Sequence, residues 1–416
     1  MTTDVDMQLD REYIAAQIAH FASITAAGSG VTRLGYSALE REAHAHFAAE
    51  MNSFGLNVYT DPVGNTIAER QGAEPGRAAV GTGSHLDSVP NGGSYDGIAG
   101  VVAGMAIAKA LHESGAHTHR PWRFVAFATE EGARFGQACN GSRAIAGTAT
   151  LEELERFTDD DGTTMADAMR TVGLQPERLD EATWDPSQWH AFIEMHIEQG
   201  GTLEELETQI GAVTVISGST RLLVTVTGVA SHSGATPMHL RKDALVTASE
   251  CILAADELAQ ESGGTRVTVG RMHVRPGSIT TIPGEVEFSV DIRAAEEAEQ
   301  HRMSEALRTR FIEVSDRRGT RIDVEQIAHI APQPLADHVR DTTIASAKEL
   351  GLSVMEIPSG ASHDSQQIAL VTPTGMIFVP SRDGISHAPE EFSTTDQLHA
   401  GTRVLLGALS KLDSTS

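Results

Sequence analysis

Strand-like and helix-like segments alternate along most of this 416-residue chain, and one central stretch breaks the alternation with an order of its own. That interruption limits the possible folds more than any single motif does. Before it, residues 11–27 and 37–54 carry helical spacing, with Leu39, Ala43, Phe47 and Met51 on one apolar stripe. Residues 56–59 and 65–68 read as paired strands about the turn at Asp61-Pro-Val-Gly64. Ala78-Ala-Val80 reads as the end of a buried strand entering Gly81, and Ile98 to Leu111 as a helix. Residues 122–128 form a continuous β-rich run of the kind buried on both faces of a parallel sheet. Residues 192–200 read as one more strand.

From about residue 213 the pattern becomes strand 222–229, helix 242–261, strand 266–274, strand 285–292, helix 296–317 and strand 321–326. Val286, Phe288, Val290 and Ile292 alternate with polar residues, as in a half-exposed sheet. The order β-α-β-β-α-β is that of a ferredoxin-like unit. Alternation then resumes with helix 339–350, strands 353–357 and 376–380, and helix 395–411. The expected fold is therefore α/β, with a discontinuous larger domain (1–212 and 330–416) and an inserted α+β domain (213–329). Residues 151–188 are acidic, polar and helical only in part, and the sequence assigns them no role.

With 40% hydrophobic residues the chain has material for two cores, as its length suggests. Its net charge of -26, from 57 acidic against 31 basic side chains, argues against nucleic acid or an anionic membrane as partner. Two cysteines, Cys139 and Cys251, are too few for a disulfide framework and fit a reducing compartment. The acidic start lacks the regions of a signal peptide, and no run approaches the ~18 apolar residues of a membrane span. The expectation is a soluble cytoplasmic protein.

The chemistry concentrates in the stretch from Gly81 to Gly97. His85 and Asp87 stand two apart, on the same side of an extended backbone, where a carboxylate can orient an imidazole. Asp96 follows a Pro- and Gly-rich loop immediately before the helix at Ile98. Ligands in open α/β sheets gather beyond the carboxyl ends of the strands, and Glu131, His196 and His387 also stand at strand ends or adjoining loops. His85, Asp96, Glu131, His196 and His387 are thus candidate ligands for zinc, manganese, cobalt or nickel. Two metals with three protein ligands each need one bridging carboxylate, for which Asp96 is placed. Glu130, beside Glu131, is the candidate general base.

Several runs in family order carry a resemblance: residues 83–97, Glu130-Glu-Gly-Ala-Arg-Phe-Gly136, Gly141-Ser-Arg-Ala144, His196-Ile-Glu-Gln-Gly200, His232-Ser-Gly-Ala-Thr-Pro-Met238 and residues 380–389. Together they resemble the hydantoinase/carbamoylase branch of the M20 metallopeptidase family, which includes N-carbamoyl-L-amino acid hydrolases, allantoate amidohydrolases and β-ureidopropionases. The resemblance implies a zinc-exopeptidase-like catalytic domain and a ferredoxin-like insert that forms a homodimer contact and closes over the site. It implies His85, Asp96 and His196 on one metal, Asp96, Glu131 and His387 on the other, and Glu130 as base. His232 would stabilise an oxyanion in the partner subunit's site, and His196, where related peptidases usually have a carboxylate, favours a ureido substrate. By the same resemblance Gln199, Arg293 and His363 line the substrate site, Arg293 pairing with a carboxylate. Thr280-Thr-Ile-Pro-Gly284 departs from the family's Asn-Val-Ile-Pro-Gly, so a hydroxyl stands where an amide helps hold that carboxylate; Ser362 and Gly201 replace the usual Gly and Pro. The expected activity is cleavage of the C–N bond of an N-carbamoyl amino acid or an allantoate-like ureido acid. The nearest rival is a deacylase or dipeptidase on the same scaffold.

Overall fold

A computed structural model describes residues 5–415. It divides into a larger unit, built from the described residues through Thr214, Leu335–Ile357 and the chain from Ser362 onward, and a smaller unit of Val215–Pro334 with Pro358–Ala361. The smaller unit therefore starts two residues later than the expected 213–329, runs five residues beyond its end and adds a separate short segment. Gln333 and Pro334 pair back onto Ile216 and Val215, and the Ser217 amide donates to the Ser359 carbonyl at 2.9 Å, which ties those later residues to its start.

The larger unit is organised on a twisted mixed sheet. Its strands run in the order Asn57–Thr60, Thr66–Arg70, Trp122–Phe127, Ala79–His85, Trp189–Ile197, Thr374–Val379 and Ile210–Ile216. The four strands from Trp122–Phe127 to Thr374–Val379 are mutually parallel, flanked by antiparallel neighbours. Alternation along the strands separates two apolar layers. Trp122, Phe124, Ala126, Ala191, Ile193 and Met195 pack in one cluster with the helices Arg11–Ser23, Ala38–Ser53, Ile98–Ser114 and Thr395–Ser414. Val125, Phe127, Trp189 and Phe192 face the other way, with Ile145 and Ile368. Burial on both faces explains why these strands read as unbroken apolar runs.

The strand expected to end at Gly81 instead continues to His85. Glycine's low strand propensity hides this in the sequence, but the neighbours demand it. A Cβ on Gly83 would lie 2.1 Å from the Val125 carbonyl oxygen, and one on Gly81 would lie 2.5 Å from the Trp189 ring. His85 thus becomes the last residue of a central strand.

The 151–188 region also finds its work here. Its short helices Leu151–Arg156 and Met165–Thr171 are too brief to show a clear helical period, yet Leu154, Met165 and Met169 are buried against Tyr36, Ala128 and Phe135. This small core backs the turn that carries Glu130 and Glu131.

In the smaller unit the strands Met272–Arg275, Glu285–Ala294, Gly218–Thr227 and Arg321–Ile330 lie in that order, all antiparallel. Together with the helices Ala244–Ser262 and Glu297–Arg318 they form the β-α-β-β-α-β arrangement. Val286, Phe288, Val290 and Ile292 point into one core with Leu222, Val224, Val226 and the helical residues Cys251, Leu307 and Phe311. The single strand expected over 266–274 is broken into Arg266–Thr268 and Met272–Arg275. Thr268 faces Asp291 whereas Met272 faces Phe288, so one strand carries an extra residue and bulges. Among the described residues no helix is long and apolar enough to cross a membrane.

The Ile98–Ser114 helix approaches the sheet closely enough that a Cβ on Gly100 would lie 2.2 Å from the Met195 carbonyl oxygen and 2.9 Å from the Ser84 Cβ. Ala is a better helix former than Gly by about 1 kcal/mol, but overpacking typically costs about 1–3 kcal/mol. Gly100→Ala is expected to lower the urea midpoint of unfolding; an unchanged or higher midpoint would show that the helix can simply shift outward.

Candidate metal centre

Five side chains from strand ends and adjoining loops meet at the carboxyl ends of the parallel strands. His85 ends the Ala79–His85 strand, His196 is the penultimate residue of Trp189–Ile197, and Glu131 follows the Trp122–Phe127 strand. His387 comes from the loop after Thr374–Val379, and Asp96 stands just before the Ile98–Ser114 helix. Gly97 between them has φ 69°, and a Cβ there would lie 2.5 Å from the His85 ring. Only glycine lets Asp96 come this close.

The two Asp96 oxygens serve different partners. Oδ1 is 3.4 Å from His85 Nε2 and 3.1 Å from His196 Nε2, whereas Oδ2 is 3.2 Å from His387 Nε2. His387 Nε2 is also 3.4 Å from Glu131 Oε1. In each of the triads His85–Asp96–His196 and Asp96–Glu131–His387 the ligand atoms lie within 4.8 Å of one another. The other imidazole nitrogens are already occupied: His85 Nδ1 lies 3.2 Å from the Asp87 carbonyl, and His196 Nδ1 lies 2.9 Å from the Ile197 carbonyl. Each ring is thereby held with Nε2 toward Asp96, as metal-binding histidines require. Asp96 thus stands between two groups of imidazoles, with one oxygen toward each.

The charge balance fits cations as well. Asp87, Glu194 and Asp364 are 0% exposed, and Asp96 and Glu130 are also buried. Burial, reinforced by Glu131, Asp364 and Asp87 and only partly offset by His85, pushes Glu130 well above the usual carboxylate range. Burial and the Asp96 charge raise Glu131 to about 7, against the pull of His85 and His387. Burial also acts to raise Asp96, but hydrogen bonds to His196, His387 and His85 outweigh it and hold this carboxyl well below its ordinary value. The hydrogen bond to Asp96 lifts His387 to about 9 despite partial burial. Without cations the carboxylates compete for whatever protons the histidines share; divalent ions would neutralise them directly.

Glu130 sits where the base was expected, 6% exposed and on the same turn as Glu131. The two glutamates turn together because Asp87 accepts from both of their backbone amides, Glu130 at 2.9 Å and Glu131 at 3.0 Å. The sequence reading gave Asp87 the task of orienting His85. Its carboxylate is 3.4 Å from His85 Nδ1, so it contributes there, but its shorter bonds fix the Glu130–Glu131 turn. The Cys139 thiol lies 3.1 Å from Glu130 Oε1 and donates to it. Buried Glu40 accepts from the Thr129 amide and hydroxyl at 2.7 and 2.9 Å, steadying the residue before Glu130.

Glu391 is a second participant that the sequence did not reveal. Its Oε1 accepts from the Tyr95 and Asp96 amides at 2.9 and 3.1 Å, and its Oε2 accepts from the Ser386 hydroxyl at 2.8 Å. It fastens the His387 loop to the Asp96 loop. The available signal was an acidic pair, Glu390-Glu391, just beyond the last motif. Thr129, Cys139, Gln199 and His387 all have φ between 52° and 58°, a region that non-glycine residues seldom adopt and that collects at functional sites.

The remaining candidates fall into two groups. Gln199 Nε2 donates to Asp96 Oδ2 at 2.7 Å, and the His363 ring packs edge-on against His196 with centroids 4.5 Å apart. Both therefore border the cluster. His232, Thr280 and Arg293 belong to the smaller unit. His232 Nδ1 accepts from the Gly234 and Ala235 amides at 3.1 and 3.2 Å, which leaves the ring proton on Nε2 as a donor. Thr280 accepts from the Ser233 amide through its carbonyl at 2.9 Å, beside His232. Arg293 is held by the Asp291 carboxylate at 2.8 Å and the Gly360 carbonyl at 3.1 Å.

Comparison with known proteins accords with this geometry. Residues 81–411 match the model of peptidase family M20/M25/M40. The chain is 42% identical to an N-carbamoyl-L-amino acid amidohydrolase of Geobacillus stearothermophilus, over 90% of this chain and 92% of that one. It is 40% identical to an N-carbamoyl-L-amino-acid amidohydrolase of Paenarthrobacter aurescens, over 97% and 98%. A crystal structure of a hydantoinase/carbamoylase family amidase from Burkholderia multivorans superposes with a TM-score of 0.89 at 34% identity, covering 98% of this chain and 99% of that one. The chain belongs to peptidase family M20/M25/M40, in its hydantoinase/carbamoylase branch.

Proposed function

We propose that this protein is a two-metal amidohydrolase that cleaves the carbamoyl C–N bond of an N-carbamoyl amino acid or a related ureido acid. The observation that carries the reading is Asp96, which offers one oxygen to each of two histidine-bearing triads with the Glu130 carboxyl beside them. His85, Asp96 and His196 would hold one divalent ion and Asp96, Glu131 and His387 the other. Bound there, the ions would supply Lewis acidity for the ureido carbonyl and lower the pKa of water. Metal identity among zinc, manganese, cobalt and nickel is set by supply as much as by such ligands.

The protein's own groups carry the proton traffic. Glu130, whose affinity for a proton is raised by burial, takes one from the attacking water and passes it to the leaving nitrogen as the C–N bond breaks. His232, with its proton on Nε2, is suited to donate to the developing oxyanion. In this reading it does so in the site of a partner subunit, with the smaller unit making the homodimer contact. Arg293, its guanidinium oriented by Asp291, pairs with the substrate carboxylate, helped by the Thr280 hydroxyl. Gln199 and His363 border the reacting group. The two free thiols support a reducing, cytoplasmic setting.

The reading is tested by loading the protein with metal and assaying ammonia release from N-carbamoyl amino acids and allantoate, against amine release from N-acyl amino acids and dipeptides. Turnover confined to the acyl or peptide substrates would overturn the ureido assignment. Glu130→Gln is expected to lower kcat by about two to four orders of magnitude at unchanged metal content. A near-normal rate would remove Glu130 as the base.

Asp87→Asn replaces one acceptor oxygen with an amide that cannot accept from the Glu130–Glu131 turn. A loss of about 10–100-fold in activity is expected, with the fold retained by circular dichroism; full activity would reduce Asp87 to a packing role.

Chelation has its own signature. Folding raises Glu131 from 4.5 to about 7 and His387 from 6.5 to about 9, so both bind protons more tightly folded than unfolded. The stability each lends to the metal-free protein is complete below the unfolded value and is lost as pH rises through the folded one. The thermal midpoint of chelated protein should therefore fall from about pH 4.5 to about pH 9, and added metal should restore it most at the alkaline end. A chelated protein that gains stability over that range would contradict the charge balance described above.

A further inference from the structure

We propose that Glu297, His301 and His329 form a further divalent-cation site on the smaller unit, one that takes a borderline metal such as zinc, nickel or cobalt. Glu297 opens the Glu297–Arg318 helix and His301 follows one turn later, on the same face. His329 comes from the Arg321–Ile330 strand. His329 Nε2 is 3.2 Å and His301 Nε2 3.8 Å from the same carboxylate oxygen, Glu297 Oε1, and one ligand atom from each residue lies within 4.8 Å of the others. A tetrahedral ion with bonds of about 2.0–2.1 Å spaces its ligand atoms about 3.4 Å apart. The two measured separations bracket that value.

Two further features favour a built site over a chance ion pair. His329 Nδ1 is 2.9 Å from the hydroxyl of buried Thr220 on the neighbouring strand, which holds the ring with Nε2 toward Glu297. That outer hydrogen bond is the kind that orients metal-binding imidazoles. The strand also bulges between Gln326 and Ala328. Before the bulge the even-numbered Ile322 and Val324 lie opposite Val226 and Val224 and face the helices; beyond it, odd-numbered His329 lies opposite Thr220, which is in step with those same inward residues. The extra residue turns His329 onto the side of the sheet where the helix lies, as bulges commonly re-aim a side chain. A simple Glu297–His329 ion pair does not need His301, yet the rings of His301 and His329 stack with centroids 5.2 Å apart and planes 26° from parallel. Glu297 and His301 are exposed, so water could fill the remaining coordination positions. A bound ion would pin the first turn of the helix to the last strand of the sheet.

The experiment is equilibrium dialysis of the tag-free, full-length enzyme, already loaded at its catalytic centre, against zinc and then nickel at low micromolar concentration. Wild type is expected to hold one metal equivalent per chain more than the double variant His301→Gln/His329→Gln, with equal kcat in the two. Cobalt substitution should add a visible absorption band to wild type that the double variant lacks. His301→Gln alone alters an exposed helix position that no core packing depends on, and should weaken the extra equivalent at least tenfold. Equal metal content in wild type and the correctly folded double variant overturns the proposal, as does a band that survives both substitutions.

Discussion

Everything at this centre depends on one electrostatic condition: more carboxylates have been buried than the neighbouring histidines and buried Arg33 balance. Asp87, Asp96, Glu130, Glu194 and Asp364 are all withdrawn from solvent. Moving such groups out of water costs several kcal/mol each unless a countercharge compensates. Asp96 is satisfied by three imidazoles at once, whereas Glu130 and Asp364 are pushed far up by burial. A pair of dications would resolve this conflict, and the same desolvation that makes the centre costly raises the proton affinity of Glu130 beside it.

Much of the protein's precision comes from carboxylates that never reach the ligand cluster as ligands. Asp87, Glu40 and Glu391 spend their oxygens on backbone amides of the loops that present Glu130, Glu131 and Asp96. Loops held by charged acceptors can keep uncommon backbone angles, which is why Thr129 and His387 can sit at positive φ. The clustered side chains are then aimed by a frame in which every link is a hydrogen bond of ordinary length.

The legibility of these features in the sequence follows the range of the interactions. The clustered side chains are legible because His85, Asp96, Glu131, His196 and His387 occur within dense local motifs. The insert was readable from Val286–Ile292, whose alternation survives in the structure as strict inward and outward faces. The main task of Asp87 is not legible, since its shortest bonds go to amides more than forty residues away and no local pattern connects them. Glu391 is hidden on the same grounds, its amide partners at Tyr95 and Asp96 lying far off in the chain. The full extent of the glycine-bearing strand at Ala79–His85 is not legible, because propensity speaks for an isolated segment, whereas Gly81 and Gly83 are required by the neighbouring strands. In the 151–188 region, helices of six and seven residues cannot display a period, although their few apolar side chains all reach a core.

The strand Thr374–Val379 has a consequence for how such a chain is made. It fills the gap between Trp189–Ile197 and Ile210–Ile216, so two neighbours in the middle of the sheet must wait for a segment synthesised some hundred and sixty residues later. Until the ribosome has delivered that piece, and then Glu391 to fasten the Asp96 loop, the nascent polypeptide holds an open seam instead of a finished sheet. Such late, long-range closure makes folding slow in principle, and it means that the five-residue cluster is complete only after its last loop has been synthesised.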